Sequence, residues 1–573
     1  MLKPARCQFT IHCIASLYRG VIPQSQVTAS ARCRTKGYNT IVYDLDDSNN
    51  AGRRIRLGQQ QARARARGIR RTDQVTQDYS PVTLARQAGS AVLWRGLSIS
   101  IEKVIFLLRI LILGRILAPT DFGLVAIGMV SLAVMVSLTD FGMIQALVQQ
   151  PAGNKRHLDT AWTIGLVRGA GINIIMIIAA PYIARAFGEP DAVNIIRLLA
   201  VTTLLQAGAS IEVATLTREL RFKQLALIRL SAAVCNTIVS ILLARTLGAW
   251  AIVWGAVGGA ITHLIVSYIV APYRPRFRME SVATSSLMRF GRWIFAIGVT
   301  SVAADATLRW VISNRLGVAE LGLYFMAARL AYLPYQLITE LVGEVAFPLY
   351  ARLQRNRTKA TRAFRTVFVS MLALLLPTSL IMIVLIPDLV AVVLGEQWSG
   401  AATVMQLLAA ACVAGVAGDS IVPLLKGMGS PKKLAAIDLL QFLVIVPAAW
   451  VLIGRYGLAG AGLAVLVAVV CSQVFALRYV SEVLDRPFSG TGGSCLAIVV
   501  ASLAGSSVSL LIANLLSGLT ALLTSAIVGA MTAIATGLLL DHVFKFNLLS
   551  RMVEPFPILA RLGPGARQDR GAN

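Results

Sequence analysis

Apolar runs of roughly 20 residues, separated by short polar breaks, recur from about residue 92 to about residue 540. That length is what an α-helix needs to cross the hydrocarbon core of a bilayer. Fourteen runs can be counted, including those at about 91–113, 193–216, 291–313, 321–345, 493–515 and 518–540. The pattern predicts an all-α integral membrane protein of about fourteen transmembrane helices. Pro334, Pro377, Pro423 and Pro447 fall inside runs and mark places where such helices bend, which membrane helices tolerate.

The pattern is also duplicated. Leu108-Arg109-Ile110-Leu111-Ile112-Leu113-Gly114-Arg115 reads against Leu308-Arg309-Trp310-Val311-Ile312-Ser313-Asn314-Arg315. After a one-residue slip, Asp121-Phe122-Gly123-Leu124 reads against Glu320-Leu321-Gly322-Leu323, and Trp94 and Trp293 open the two segments. A repeat beginning at runs 1 and 7 implies two pseudo-symmetric six-helix lobes. An even number of helices per lobe keeps both copies in one orientation, the build of a repeat-based transporter. The expected plan is a first lobe at 86–271, a basic inter-lobe loop at 272–292 and a second lobe at 293–480. Two accessory helices follow at 481–540, then a tail at 541–573.

Composition agrees with a membrane setting. Of 573 residues, 56% are hydrophobic and 14% charged, with mean hydropathy +0.70, whereas soluble domains carry about a quarter charged residues. A net charge of +27 would suggest nucleic acid in a soluble protein. Here the excess sits in the N-terminal segment and in loops after the even-numbered runs, among them Lys155/Arg156, Arg274/Arg276/Arg278, Arg352 to Arg365 and Lys426/Lys432/Lys433. The alternate loops offer Arg115, Arg185, Arg245, Arg315 and Arg455. Lys and Arg collect on the cytoplasmic side of short loops, so both termini are expected in the cytoplasm, with membrane lipids and not nucleic acid as surroundings. Residues 1–85 hold Arg53, Arg54, Arg56, Arg63, Arg65, Arg67, Arg70 and Arg71 without sustained periodicity, the mark of a disordered extension. It reads either as a tail against anionic headgroups or as residues ahead of the true initiator. Seven scattered cysteines and four isolated histidines predict no metal site and no cofactor.

Charge inside the apolar runs is the candidate chemistry, because it is expensive there unless it faces protein or a wet cavity. Arg329 lies near mid-depth in the eighth run. Arg309 has Asp305 one turn away on the same face, and Arg109 has Glu102 two turns away with Lys103 adjacent. Arg109, Arg309 and Arg329 are candidate substrate-binding residues for an anionic cargo, with snorkelling toward the run ends the rival for the first two. Glu102, Lys103, Asp305 and Asp419 are candidates for charge pairing or for proton or sodium coupling. Glu340 and Glu344 are candidates for gating, through pairing with the basic 352–365 stretch, against a plain solvated face. Arg168, Arg197 and Arg229 read as interface anchors.

Gly114-Arg115-Ile116-Leu117-Ala118-Pro119-Thr120-Asp121-Phe122-Gly123-Leu124, followed by Asp140-Phe141-Gly142 and Ala146-Leu147-Val148-Gln149, carries a family resemblance. With Arg218-Glu219-Leu220-Arg221-Phe222-Lys223 and Glu320-Leu321-Gly322-Leu323-Tyr324, it resembles the lipid-linked oligosaccharide flippases. These are the polysaccharide-transporter branch of the multidrug/oligosaccharidyl-lipid/polysaccharide exporter superfamily. The resemblance covers about Leu84 to Leu540 and leaves out the basic extension. It implies a two-lobed, fourteen-helix fold with a cationic cavity, in the bacterial inner membrane. Alternating access would move a polyprenyl-pyrophosphate-linked oligosaccharide to the periplasmic leaflet for exopolysaccharide, lipopolysaccharide or capsule synthesis. A polysaccharide polymerase and glycosyltransferases would be partners, and no catalytic residue is implied. The alternatives are a multidrug-type cation antiporter, expected to rely on cavity carboxylates, and a peptidoglycan-precursor flippase of the same superfamily. A membrane glycosyltransferase or polymerase fits less well, because the loops on the non-basic side are short.

Overall fold

The computed structural model describes residues 81–139, 155–219, 221–277 and 281–544. Every regular element among them is helical. In the first lobe α1 is Pro81–Ile116, α2 Pro119–Thr139, α3 Lys155–Ala186, α4 Ala192–Ala207, α5 Phe222–Leu247 and α6 Ala249–Val270. In the second, α7 is Ser281–Leu316, α8 Val318–Leu353, α9 Arg357–Asp388 and α10 Ala401–Gly427. The run Pro431–Val483 is two helices, α11 (431–456) and α12 (458–483), because Gly457 adopts φ 58° and ψ −137°, a backbone setting that only glycine takes without strain. Last come α13, Gly492–Leu515, and α14, Gly518–Phe544. These are the expected fourteen helices.

Nine helical stretches among the described residues are long and apolar enough to span a bilayer, the bent α11–α12 run counting as one. The others are the 16-residue α4 and three helices diluted by charge: α1 with Glu102, Lys103 and Arg109, α7 with Asp305 and Arg309, and α8 with Arg329. Two boundaries differ from expectation. The fourth run, expected to 216, stops as a long helix at Ala207. Beyond it, the Ser210 backbone N–H donates to the Ser267 hydroxyl oxygen at 3.0 Å, and the Ser210 hydroxyl donates to the Ala271 carbonyl at 2.7 Å. Those partners on and after α6 turn the chain, and only a six-residue helix, Val213–Arg218, follows. α7 begins at Ser281, inside the expected 272–292 loop, because a helix satisfies its own backbone on either side of the membrane boundary.

In the first lobe α5 packs on α1 and α6, and α4 on α2, α3 and α6. In the second lobe the α11–α12 run packs on α7 and α10, and α10 also on α8 and α9. α13 and α14 pack on each other and on α9. Between lobes, α2 meets α7 and α8.

The two ends of the bundle differ. Toward the end opposite the basic loops, one apolar core spans both lobes, from Leu113, Phe122 and Ile196 to Ile312, Phe325, Trp398 and Leu408. Toward the basic end, each buried cluster among the described residues stays within one side, for instance Tyr350, Phe364 and Leu424 in the second lobe or Leu216, Leu225 and Ile228 in the first.

Paired hydrogen bonds reinforce the closed end. Trp398 Nε1 and Gln397 Nε2 donate to the Gly114 carbonyl at 2.7 and 2.8 Å. Arg115 Nε donates to the Val393 carbonyl at 2.6 Å, and its Nη2 to that of Val392. Reciprocally, Trp310 Nε1 and Asn314 Nδ2 of α7 donate to the Ala186 carbonyl at 2.8 and 2.9 Å, and Ser313 Oγ to that of Phe187 at 2.8 Å. These acceptors lie at helix ends, whose last carbonyls lack intrahelical partners. The ends of α1 and α7, equivalent in the repeat, thus each fasten to the other lobe.

The repeated motif has its meaning here. Asp121 accepts from the Ala118 N–H at 3.0 Å and the Ala249 N–H at 2.9 Å, tying the start of α2 to that of α6. Phe122 packs edge-on against Trp398, ring centroids 5.2 Å apart. A Cβ on Gly123 would lie 2.0 Å from the Val318 carbonyl oxygen, and one on Gly322 would lie 1.8 Å from that of Pro119. Pro119 and Val318 are themselves repeat equivalents, so α2 and α8 cross backbone to backbone at a reciprocal pair of glycines.

Candidate functional site

Below that closed end, α1, α7 and α8 bring the three candidate arginines together. Helical spacing puts Phe106 one turn before Arg109, Asp305 before Arg309 and Phe325 before Arg329. The Arg109 guanidinium carbon stands 5.5 Å from the Phe106 ring centroid. That of Arg329 lies 5.8 Å from Phe106 and 5.0 Å from Phe325, and that of Arg309 lies 5.8 Å from Phe325. The order across the lobes is Arg109, Phe106, Arg329, Phe325, Arg309, with Arg329 between two rings. Asp305 receives Arg309 Nε at 3.0 Å. Arg329 Nη2 points to the Met129 sulfur of α2 at 3.5 Å.

Three guanidiniums therefore share one ion-paired carboxylate. Among the described residues neither Arg109 nor Arg329 has an ion pair. The rings offer partial compensation through their electron-rich faces, and what remains is a donor-rich, electropositive niche suited to a multiply charged oxyanion. The three arginines are half-buried, and Arg309 and Arg329 each reach a ring on a neighbouring helix.

Two cavities meet this row. One, about 300 Å³, lies in the second lobe and is bordered by Asp305, Arg309, Tyr324, Arg329, Tyr332 and Gln441. The other, about 610 Å³, lies in the first lobe, with Glu102, Phe106 and Arg109 on its α1 wall.

The other candidates fall elsewhere. Glu102 shares a cavity with Arg109 but is not ion-paired to it. Glu340 differs from its expected pairing with 352–365: it reaches across the lobes to Arg95 at 3.6 Å and Lys103 at 4.0 Å on α1. Lys103 also donates to Gln336 Oε1 at 3.4 Å. The reason is geometric, since Glu340 lies about three turns before 352–365 on α8, where α1 is the facing helix. The Glu344 side chain lies outside the described residues. Asp419, on α10, is apart from the arginine row, and its Oδ2 is buried without a hydrogen-bond partner; the Tyr335 hydroxyl is nearby, both atoms lying about 3.5 Å from where a Gly415 Cβ would be. Arg168 donates to Thr139 Oγ1 and the Val136 carbonyl at 3.0 and 3.2 Å, fastening α3 to α2. Arg197 donates to the Ile177 carbonyl at 3.4 Å, and Arg229 borders the first-lobe cavity.

Phe106 and Phe325 are site residues that hydropathy and charge do not single out. The signal that marks them is an aromatic ring one turn ahead of an intramembrane arginine, present in two helices.

The description "Polysaccharide biosynthesis protein" matches residues 112–403, just over half of the 573 residues. The chain belongs to this family. It is 25% identical to the succinoglycan biosynthesis transport protein ExoT of Rhizobium meliloti (strain 1021) over 356 residues, 62% of this chain and 71% of that one. It is 24% identical to the lipopolysaccharide biosynthesis protein WzxC of Escherichia coli (strain K12) over 353 residues, 61% of this chain and 70% of that one. Among solved structures, the lipid II flippase MurJ in an inward closed conformation superposes with a TM-score of 0.62 at 14% identity, over 79% of this chain and 99% of MurJ. An inward-facing multidrug resistance MATE family transporter of the MOP superfamily gives 0.55 at 16% identity, over 66% and 95%. These two likenesses establish the shared fold.

Proposed function

We propose that this protein flips a polyprenyl-pyrophosphate-linked oligosaccharide across the bacterial inner membrane by alternating access, as a transporter and not an enzyme. The observation that carries the reading is the row of Arg109, Arg329 and Arg309 with a single paired carboxylate, at the junction of the lobes and beneath a closed end. A pyrophosphate presents acceptor oxygens only, and guanidinium forks are the side chains best matched to them. A multidrug-type cation exporter would want the reverse polarity. Relatives named for succinoglycan and lipopolysaccharide biosynthesis support a glycan-bearing cargo.

With the basic loops and both termini in the cytoplasm, the state seen here is closed to the periplasm and is the one that loads cargo from inside. Glu340, bridging Arg95 and Lys103 from lobe to lobe, is then the inner gate contact. Asp419 is the group to which a coupling proton or sodium ion is assigned. A polymerase and glycosyltransferases stand on either side of the step.

Reconstitution tests the reading. Proteoliposomes containing the protein should make a labelled polyprenyl-pyrophosphate-linked oligosaccharide in one leaflet accessible from the other, faster than protein-free vesicles. No acceleration for any pyrophosphate-linked glycan lipid would refute it. For topology, cysteines introduced near Gly188 or Gly395 should react with an impermeant thiol reagent in intact cells, and one at Asn356 only after permeabilisation. External labelling at Asn356 would reverse the assigned direction.

A further inference from the structure

The arginine row gives a place to the pyrophosphate and leaves the larger cavity unassigned. That chamber, about 610 Å³ against about 300 Å³ for its neighbour, is bounded by α1, α4, α5 and α6. Its polar lining is of another kind. Gln206 comes from α4, Asn236 from α5 and His263 from α6, with Glu102 on α1. The side chains between them are small, including Ala232, Ala256 and Gly259, which gives the chamber its width. His263 Nδ1 is buried with no hydrogen-bond partner among the described residues.

The Asn236 amide, the His263 imidazole and the Glu102 carboxylate, half-buried inside a membrane bundle, are costly unless something polar meets them, and Gln206 is exposed beside them at the last turn of α4. A phosphate held by Arg109 at the chamber's edge leaves much of this lining unmet, since it cannot donate to Glu102 or to the amide oxygens of Gln206 and Asn236. Arg229, an exposed side chain on the same border, offsets Glu102 in charge. A neutral polyol is a good match, because each hydroxyl both donates and accepts. Position agrees with chemistry: Phe106 borders this chamber and also carries Arg109 and Arg329 at 5.5 and 5.8 Å. A group bonded to a pyrophosphate on those arginines would lie at the chamber's entrance.

We propose that the α1–α4–α5–α6 chamber is the glycan subsite, holding the pyrophosphate-proximal sugar through Gln206, Asn236, His263 and Glu102. The inference rests on the pyrophosphate reading above. It assigns recognition of the proximal sugar to the first lobe, while the anion is held where the lobes meet.

The test is equilibrium binding to the full-length protein in lipid nanodiscs, free of maltoside detergents whose sugar headgroups would compete. The probes are undecaprenyl pyrophosphate and its glucose, galactose and N-acetylglucosamine conjugates. At least one conjugate should bind about tenfold more tightly than the bare lipid pyrophosphate, the scale of one or two hydrogen bonds. Gln206→Ala with Asn236→Ala should erase that gain and leave affinity for the bare lipid unchanged, which also reports an intact fold. If the alanine pair does not fold, Asn236→Asp and Gln206→Glu keep the shape and should change the preference among the three sugars. Conjugates that bind no better than the bare lipid, or a gain and preference that survive these substitutions, would overturn the subsite. Arg329→Ala should weaken bare and conjugated lipids alike. If it weakens neither, the pyrophosphate assignment fails, and the sugar-dependent gain still judges the chamber by itself.

Discussion

Arg329→Ala is expected to slow flipping of a pyrophosphate-linked oligosaccharide by about ten- to a hundredfold at near-normal protein abundance, the equivalent of about 1.5–3 kcal/mol for a lost charge-assisted hydrogen bond. Arg329 is the middle cation of the row, between the Phe106 and Phe325 rings, with no carboxylate to leave stranded. Removing it therefore subtracts the proposed cargo contact without creating an unpaired buried acid. Arg329→Lys should recover only part of the rate, because a lysine keeps the charge and loses the planar fork. Arg309→Ala differs in kind: Asp305 loses the partner it holds at 3.0 Å and is left facing the anion's path. Its defect should be partly relieved by adding Asp305→Ala, a rescue that a simple contact loss would not show. Arg109→Ala, at the first-lobe end of the row, should be milder than Arg329→Ala. Flipping by reconstituted protein, normalised to protein per vesicle, measures all of these. A wild-type rate from abundant Arg329→Ala protein would remove the central anion site.

Much of the fold is legible in the sequence because membrane helices leave a coarse signature, a run of apolar residues of bilayer length, and because the repeat prints the same signature twice. Charges within such runs are few, so Arg109, Arg309 and Arg329 stand out by their chemistry alone. What surrounds them does not. Phe106 and Phe325 are apolar residues in apolar helices and look like lipid-facing side chains until the partner helix is in place. Glu340 reaches α1, a partner more than two hundred positions earlier that no local spacing encodes. The chamber residues Gln206, Asn236 and His263 come one from each of three helices, so no motif gathers them. α4 ends early because Ser210 is claimed by Ser267 and Ala271, a tertiary contact that hydropathy cannot register. The repeated glycines are visible as a motif, but a motif does not say what approaches.

What approaches Gly322 is backbone, and that makes Gly322→Ala the second substitution of large expected effect. Its new Cβ would stand 1.8 Å from the Pro119 carbonyl oxygen and 3.0 Å from the Gly123 nitrogen, with no flexible side chain to move aside. Relief requires α2 and α8 to separate where they seal the end opposite the basic loops. Overpacking of this kind costs about 1–3 kcal/mol or more. Because the crossing belongs to the closed end, the cost should fall mainly on the sealed state and shift the balance away from it by about five- to 150-fold. A cysteine at Ser301, which borders the cavity under the seal, should then label from the sealed side severalfold faster than in the parent, and transport should fall. Gly343→Ala is the control: it is on the same helix α8 with nothing within 4 Å of its added Cβ, and it should leave both readouts unchanged. Gly123→Ala should reproduce the Gly322 effect, since its Cβ meets Val318 at 2.0 Å. The double variant should be less than additive, because either substitution alone already parts the same crossing. Unaltered labelling at Ser301 in both single variants would mean that the seal rests on the Trp398 and Trp310 fastenings alone, and that the glycine pair is only where two helices happen to be close.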